Sequence, residues 1–536
     1  MKNFIVDGEN LTLQNLMHIA YHPGLKLQLS EESKIRMKKS RKWVDQVQKQ
    51  GTPVVYGVNT GFGSKATVSI DKEKLKDLQR NLIMSHSAGL GNPLAIEVVR
   101  SAMLMRVNTI AKGYSGVRIE VAETILDMLE KGVTPWIPEQ GSLGASGDLA
   151  PLSHMALVIS RGVVRDKSED SGQAYFYDAK KKDWILMSGL EAMKKAGIPR
   201  IVLEAKEGLA LNNGTQISTS ILAVTLHRAQ KLLKLADIAM AMTLEALEGI
   251  SSAFREEIHQ LRPHPGQIST ARNIRRLNEG SQLLDRHPEK VQDAYSLRCH
   301  PQVLAGVRDA LRYIGDIVHI EFNATTDNPI ILPELSEKNK AISGGNFHAQ
   351  PIAFAADHLA MVLCEIGSIS ERRIFRMSDK HLNSGLPSFL IENGGLESGL
   401  MMAQYTAAAL VSENKTLAHP ASIDSIPTCE NQEDHVSMAP IAARKALDIL
   451  QNVEKIVAIE LFFAAQALDL RLKQNTGHAA KNMFGKGTLC AYNKIREYIP
   501  FFTMDRPLYP HIESLVQLLQ NGELLTAVEG VIGELS

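Results

Sequence analysis

The chain has 536 residues, 44% hydrophobic and 22% charged, an ordinary globular composition that excludes wholesale disorder and collagen-like or low-complexity structure. Lys plus Arg and Asp plus Glu each total 59, so the formal charge is zero. No electrostatic footprint for nucleic acid or an acidic membrane surface is present, and small molecules or proteins are the expected partners. Cys299, Cys364, Cys429 and Cys490 lie far apart without CxxC spacing, which argues against a disulfide framework or a zinc site and for a reduced compartment. The first residues, MKNFIVDGENLT, lack the basic start and apolar stretch of a signal peptide, so a cytoplasmic chain is expected.

In chain order, the basic run SKIRMKKSRKW at 33–43 has helical spacing and reads as a solvated helix face. TPVVYGV at 52–58 reads as a strand, and the polar excursion at 162–187, with β-branched and aromatic residues around turn formers, as a surface hairpin. From about residue 95 onward apolar residues recur at helical spacing: EVVRSAMLMRVNTIAKG, QISTSILAVTLHRAQKLLKLADIAMAMTLEALEGI, HAQPIAFAADHLAMVLCEIGSISERRIFRM and DHVSMAPIAARKALDILQNVEKIVAIELFFAAQALDL. Even the last, greasiest stretch carries interior charges, unlike a membrane span. The expected fold is mainly α, a long-helix bundle with minor β hairpins. Along the chain this divides into a smaller N-terminal domain (1–200), a central long-helix bundle (201–480) and a C-terminal helical segment (481–536).

Five polar or Gly-rich segments interrupt the helices: YGVNTGFGS (56–64), GSLGASGDLAP (141–151), NNGTQ (212–216), SGGNFHA (343–349) and ENQEDHVSM (430–438). Loops carried on rigid scaffolds are where chemistry tends to sit. None is a phosphate loop: YGVNTGFGS lacks the Gly-Lys-Ser/Thr, and GSLGASG does not space its glycines as GxGxxG. There is no HExxH, and histidines do not cluster with carboxylates at metal-ligand spacing, so no metal is expected and side-chain or covalent chemistry remains.

GSLGASGDLAP has two readings. It can be simply a glycine-rich helix start, in which Gly147 permits unusual backbone geometry, Asp148 caps the following helix and Pro151 occupies its first turn. Alternatively, a tight turn presses the Gly147 amide nitrogen onto the Ala145 carbonyl carbon, Ser146 loses its hydroxyl as water, and an electrophilic five-membered ring results.

The neighbourhood favours the second reading. YGVNTGFG, SHSAG (85–89), GSLGASGDLAPLSH, EGLALNNGTQ, QDAYSLRCHPQV, TDNP, SGGNFHAQP and NQEDHVSM occur in the order of the aromatic amino acid lyases that depend on a methylidene-imidazolone (MIO) group, and the chain resembles that family over nearly its whole length. The resemblance implies that Ala145, Ser146 and Gly147 form the MIO without any dissociable cofactor, with Asn213 and Tyr295 near it and Tyr56 as general base. It further implies that Arg298 holds the substrate carboxylate, that Gln292 and Phe347 line the pocket, and that His86 and Glu433 face the substrate side chain. The residue types suit the chemistry. A β-proton is too weakly acidic for a side-chain base alone, so an electron sink must assist, and the planar fork of Arg binds a carboxylate bidentately.

The implied reaction is non-oxidative deamination of an aromatic amino acid, histidine first, giving trans-urocanate and ammonia; tyrosine or phenylalanine deamination and a 2,3-amino shift are the alternatives. A catalytically silent helical assembly protein is the non-enzymatic alternative, but a scaffold needs none of Ala-Ser-Gly, Tyr56 and Arg298 together. The resemblance also implies a homotetramer with shared active sites. Bland readings stand beside several assignments: Arg298 could pair with a structural carboxylate, and Glu433 could cap a long helix beginning near Asp434. Asn212 departs from the apolar residue usual before the NGT asparagine, and a buried extra amide needs partners.

Overall fold

The helical spacing becomes helices at Ile96–Ala111, Gln216–Ala246, His300–Phe322, Gln350–Ser378 and Ala439–Asn475 of the computed structural model, which describes residues 3–475 and 483–536. The mainly α expectation is met, since these and shorter helices dominate while strands are at most six residues long. The 37-residue Ala439–Asn475 helix is buried through most of its length, with Phe462 and Phe463 fully enclosed; each such ring contributes about 1.5–3 kcal/mol by leaving water. Its interior charge is matched: the Glu460 carboxylate accepts from Arg373 Nη2 at 2.7 Å, Ser370 Oγ at 2.5 Å and Thr243 Oγ1 at 2.9 Å. Removing one member of such a buried pair costs roughly 3–5 kcal/mol. The Gln350–Ser378 helix is long and apolar enough to cross a membrane, but its most apolar window is 67% buried within the protein, as in a core helix.

The chain divides into two compact units, each discontinuous in sequence. One comprises Met1–Val224, Gly315–Asp357 and Pro420–Arg444; the other Thr225–Ile314, His358–His419 and Lys445–Ser536. The segments 1–200, 201–480 and 481–536 divide the chain linearly, whereas four of the five divisions between units fall inside long helices and the fifth, at 419/420, between helices; the boundary at 480/481 lies outside the described residues.

In the first unit the expected hairpin forms from Gln173–Asp178 and Asp183–Ser188, paired antiparallel with Tyr175 opposite Leu186. Val133–Pro135 adds a third strand beside it. The strand expected at 52–58 does not form. Asn59 folds that segment on itself instead: its Oδ1 accepts the Val55 N–H at 2.7 Å and its Nδ2 donates to the Pro53 carbonyl at 3.0 Å, so the local amide replaces a strand partner. The basic run lies on the Glu31–Gln50 helix as expected, with Lys38, Lys39 and Lys42 in solvent. Arg41 departs from a solvated face, because its guanidinium is buried and donates to the Ala205 carbonyl at 2.9 Å and the Gly116 carbonyl at 3.2 Å.

Candidate active site

The Ala145–Ser146–Gly147 turn in the first unit is held from both sides. On one side Met438 N donates to the Leu143 carbonyl at 2.9 Å and Ser437 Oγ to the Gly144 carbonyl at 3.3 Å. On the other, Gly147 pairs with Gly214, and Asp148 N donates to the Gly214 carbonyl at 2.7 Å. Gly147 has φ of 75°, and a β-carbon there would collide with the Gly214 carbonyl, so only glycine permits this approach.

Asp148 does not cap the Leu149–Ile159 helix that follows it, contrary to the sequence expectation. Its carboxylate accepts Ser218 N at 2.8 Å and Ser218 Oγ at 2.7 Å, because the start of the Gln216–Ala246 helix offers an unpaired amide and a hydroxyl together. Burial raises the Asp148 carboxyl to about 6 against those hydrogen bonds.

Glu433 is the junction of the site. Its Oε1 accepts from Ser146 Oγ at 2.7 Å and its Oε2 from Thr428 Oγ1 at 2.8 Å. The Thr428 and Glu433 backbones pair with each other and close a tight turn in which Cys429, Glu430 and Asn431 have φ of 52°, 55° and 66°. The adjoining long helix begins only at Ala439, so Glu433 is not its cap. Tyr56 lies on the loop facing this turn, its hydroxyl accepting the Gly63 N–H at 3.1 Å. Burial raises the phenol above its ordinary value of 10.0, the Gly63 N–H opposes this, and negative charge at Cys429 and Glu433 adds to it. His86 ends the Leu75–His86 helix with Nδ1 3.0 Å from Ser85 Oγ; burial lowers its imidazole and the Glu433 charge opposes this.

Asn213 is buried, and its Oδ1 has no hydrogen-bond partner among the described residues. Its neighbour Asn212 turns away to donate to Ser153 Oγ at 3.1 Å on the Leu149–Ile159 helix. Phe347 is half-buried on the 343–349 loop, which Asn328 of the TDNP motif pins by accepting Gly344 N at 2.8 Å and donating to Ser343 Oγ at 3.2 Å.

The first unit therefore contains Tyr56, His86, Ala145, Ser146, Gly147, Asn213, Phe347 and Glu433. Gln292, Tyr295 and Arg298 belong to the second, grouped around the short Tyr295–Arg298 helix. Arg298 Nε donates to the Asp293 carbonyl at 2.8 Å, and its guanidinium carbon sits 4.7 Å from the centre of the exposed Tyr295 ring. Among the described residues no carboxylate forms an ion pair with Arg298, so the structural pairing weighed for it does not occur. The sequence gives no sign of Thr428, names Asn328 only within the TDNP motif, and marks Arg106 only as a charge inside the apolar run EVVRSAMLMRVNTIAKG. Among the described residues no three His, Cys, Asp or Glu side chains are grouped to hold a metal ion.

Residues 11–497 match the aromatic amino acid lyase family, and the chain belongs to it. It is 50% identical over 533 residues to a histidine ammonia-lyase of Alkaliphilus oremlandii, with 99% of each chain covered. The crystal structure of histidine ammonia-lyase from Trypanosoma cruzi matches it with a TM-score of 0.87 at 39% identity, covering 99% of this chain and 95% of that one. Tyrosine aminomutase from Streptomyces globisporus matches with a TM-score of 0.89 at 36% identity, covering 100% of both.

Proposed function

We infer that this chain is a carbon–nitrogen lyase that deaminates L-histidine non-oxidatively to trans-urocanate and ammonia. The observation that carries the reading is the half-buried Glu433 carboxylate reaching Ser146 Oγ at 2.7 Å, an acceptor of hydrogen bonds set beside the turn that would become the electrophile. An imidazole brings N–H donors to such a carboxylate, whereas a phenyl ring would leave it unpaired. The relatives named histidine ammonia-lyase support the same substrate.

The turn suits the MIO group. Gly147 has no room for a side chain, Ser146 carries the hydroxyl to be lost, and the orphaned Asn213 Oδ1 leaves a buried acceptor unused beside them. Once formed, the group supplies an electrophile that draws electrons from the bound amino acid. Arg298 would hold the substrate carboxylate in its planar fork, with Tyr295 beneath the guanidinium, and Gln292 would line the pocket. Tyr56 would accept the β-proton as its phenolate. Burial disfavours that oxyanion, and the Gly63 N–H is the group that stabilises it. His86 and Glu433 would face the imidazole, and Phe347 the ring surface. Assembly as a cytoplasmic homotetramer with shared active sites belongs to the same proposal.

Two measurements test it. Intact mass should fall short of the sequence mass by two waters, and Ser146→Ala should give folded protein without that deficit and without activity. A panel of histidine, tyrosine and phenylalanine should show histidine turnover dominating; equal turnover of tyrosine, or a β-amino acid product, would instead favour the likeness to the tyrosine aminomutase.

A further inference from the structure

Arg106, on the Ile96–Ala111 helix, is among the largest fully buried side chains of the protein, and among the described residues no carboxylate pairs with it. Nearby, Lys206 has Asp327 at 2.7 Å; Arg106 instead donates to two backbone carbonyls and an amide oxygen. Its Nη1 donates to the Ala210 carbonyl at 3.0 Å and the Asn213 carbonyl at 2.9 Å, its Nη2 donates to Gln216 Oε1, and its Nε has no partner among the described residues. The charges of Asp327 and Asp148 act on it only without direct hydrogen bonds, so an enclosed guanidinium bonded to neutral acceptors remains expensive, and a Met or Leu would fill the space without that cost. Burial lowers the group to about 10, so it keeps its charge at neutral pH.

The acceptors explain its retention. Ala210 and Asn213 supply the carbonyls at the end of the Glu207–Asn212 helix, where a cation is favoured, and Gln216 is the first residue of the next helix. Arg106 thus spans the two helix ends that frame Asn213–Thr215. Gln216 is itself fixed, its Nε2 donating to Thr326 Oγ1 at 2.8 Å and Thr109 Oγ1 at 3.1 Å. The framed segment contains Gly214, whose carbonyl takes the Asp148 N–H and closes the space at Gly147.

We propose that Arg106 is a positioning residue for closure of the Ala145–Ser146–Gly147 turn: by clamping Asn213 and Gln216 it holds the Gly214 carbonyl where it presses Gly147 toward Ala145. This rests on the reading that the three residues cyclise. In that step the Gly147 nitrogen bonds to the Ala145 carbonyl carbon. The carbonyl oxygen leaves as one water with the Gly147 and Ser146 amide hydrogens, and Ser146 loses its hydroxyl and α-hydrogen as the second. No oxidant or reductant is required. The clamp acts only on the distance and angle between nitrogen and carbon, to which such reactions are steeply sensitive.

The test follows intact mass at intervals after a pulse of synthesis, with circular dichroism confirming folding, for the full-length wild type, Arg106→Lys, Gln216→Ala and Leu27→Ala. Leu27, buried on the Lys26–Leu29 strand, serves as a destabilised control. Wild type and Leu27→Ala should reach the two-water deficit at the same rate, while Arg106→Lys and Gln216→Ala should reach it at least about tenfold more slowly although folded. Wild-type rates in both clamp variants, or an equal delay in Leu27→Ala, would overturn the proposal. If Arg106→Lys does not fold, Gln216→Ala decides by the same two outcomes. A wild type that never loses two waters would overturn the cyclisation reading itself, in the control and not in the variants.

Discussion

Glu433 and Ser146, 287 positions apart in sequence, meet at 2.7 Å, while the second oxygen of the same carboxylate is taken by Thr428 at 2.8 Å. One acidic group is therefore shared between the Ala145–Ser146–Gly147 turn and a strained segment opposite it. On the proposed cyclisation, loss of the Ser146 hydroxyl would free Oε1 for a substrate donor.

Glu433→Gln should reduce histidine turnover about ten- to hundred-fold, the cost of about 1–3 kcal/mol for leaving a buried donor or acceptor unpaired. The two-water mass deficit and helix content should stay unchanged. Full histidine turnover in that variant would remove Glu433 from substrate recognition.

A second consequence of the same substitution concerns pH. The Glu433 charge helps hold the Tyr56 phenol above its ordinary value, so neutralising it favours the oxyanion. The rise of kcat/KM with increasing pH that a tyrosinate base produces should move to lower pH in Glu433→Gln. Tyr56→Phe should lose that rise altogether and fall at least about 100-fold in turnover. Profiles that superimpose in wild type and Glu433→Gln would place the base elsewhere.

Arg298→Lys should impair every amino acid substrate alike, since a point charge replaces a bidentate fork and the carboxylate sets the position of the β-carbon. Loss confined to histidine, read from kcat/KM on the three-substrate panel, would mean that Arg298 contacts the side chain.

Asp148 carries a stability signature. Its folded-state carboxyl stands at about 6, above the 3.8 of an exposed aspartate, so its contribution is fully present below about pH 4 and is lost as pH rises through 6. The two-unit gap corresponds to about 3 kcal/mol. Relative to Asp148→Asn, the wild type should lose thermal stability between pH 4 and 6; parallel melting temperatures across that range would show that the carboxyl is not held protonated.

The long helices were legible because apolar spacing repeats over many turns and packing obeys it. The loops were not, because their conformation is set by single side chains acting locally or over long separations. Asn59 curls what propensity alone reads as a strand, and nothing within ten residues of Glu433 reveals that its partner is Ser146. Asp148 was legible as a helix cap, but its nearest helix in sequence is not the one it serves. For Arg298 the structure shows only that no carboxylate pairs with it among the described residues, which the sequence does not reveal.

The unit that contains Ser146 also requires Pro420–Arg444, which brings Glu433, Ser437 and Met438 to the turn. Roughly 300 residues are synthesised between Ser146 and Arg444, about 15–60 s at ribosomal rates of 5–20 residues per second. Throughout that interval the nascent turn lacks its Ser437–Met438 wall, so on the proposed cyclisation its conversion would wait for the far end of the polypeptide. On the same proposal, a ribosome stalled before residue 420 would hold an unconverted serine, and proteolysis of unfinished chains would remove inert protein rather than a formed electrophile.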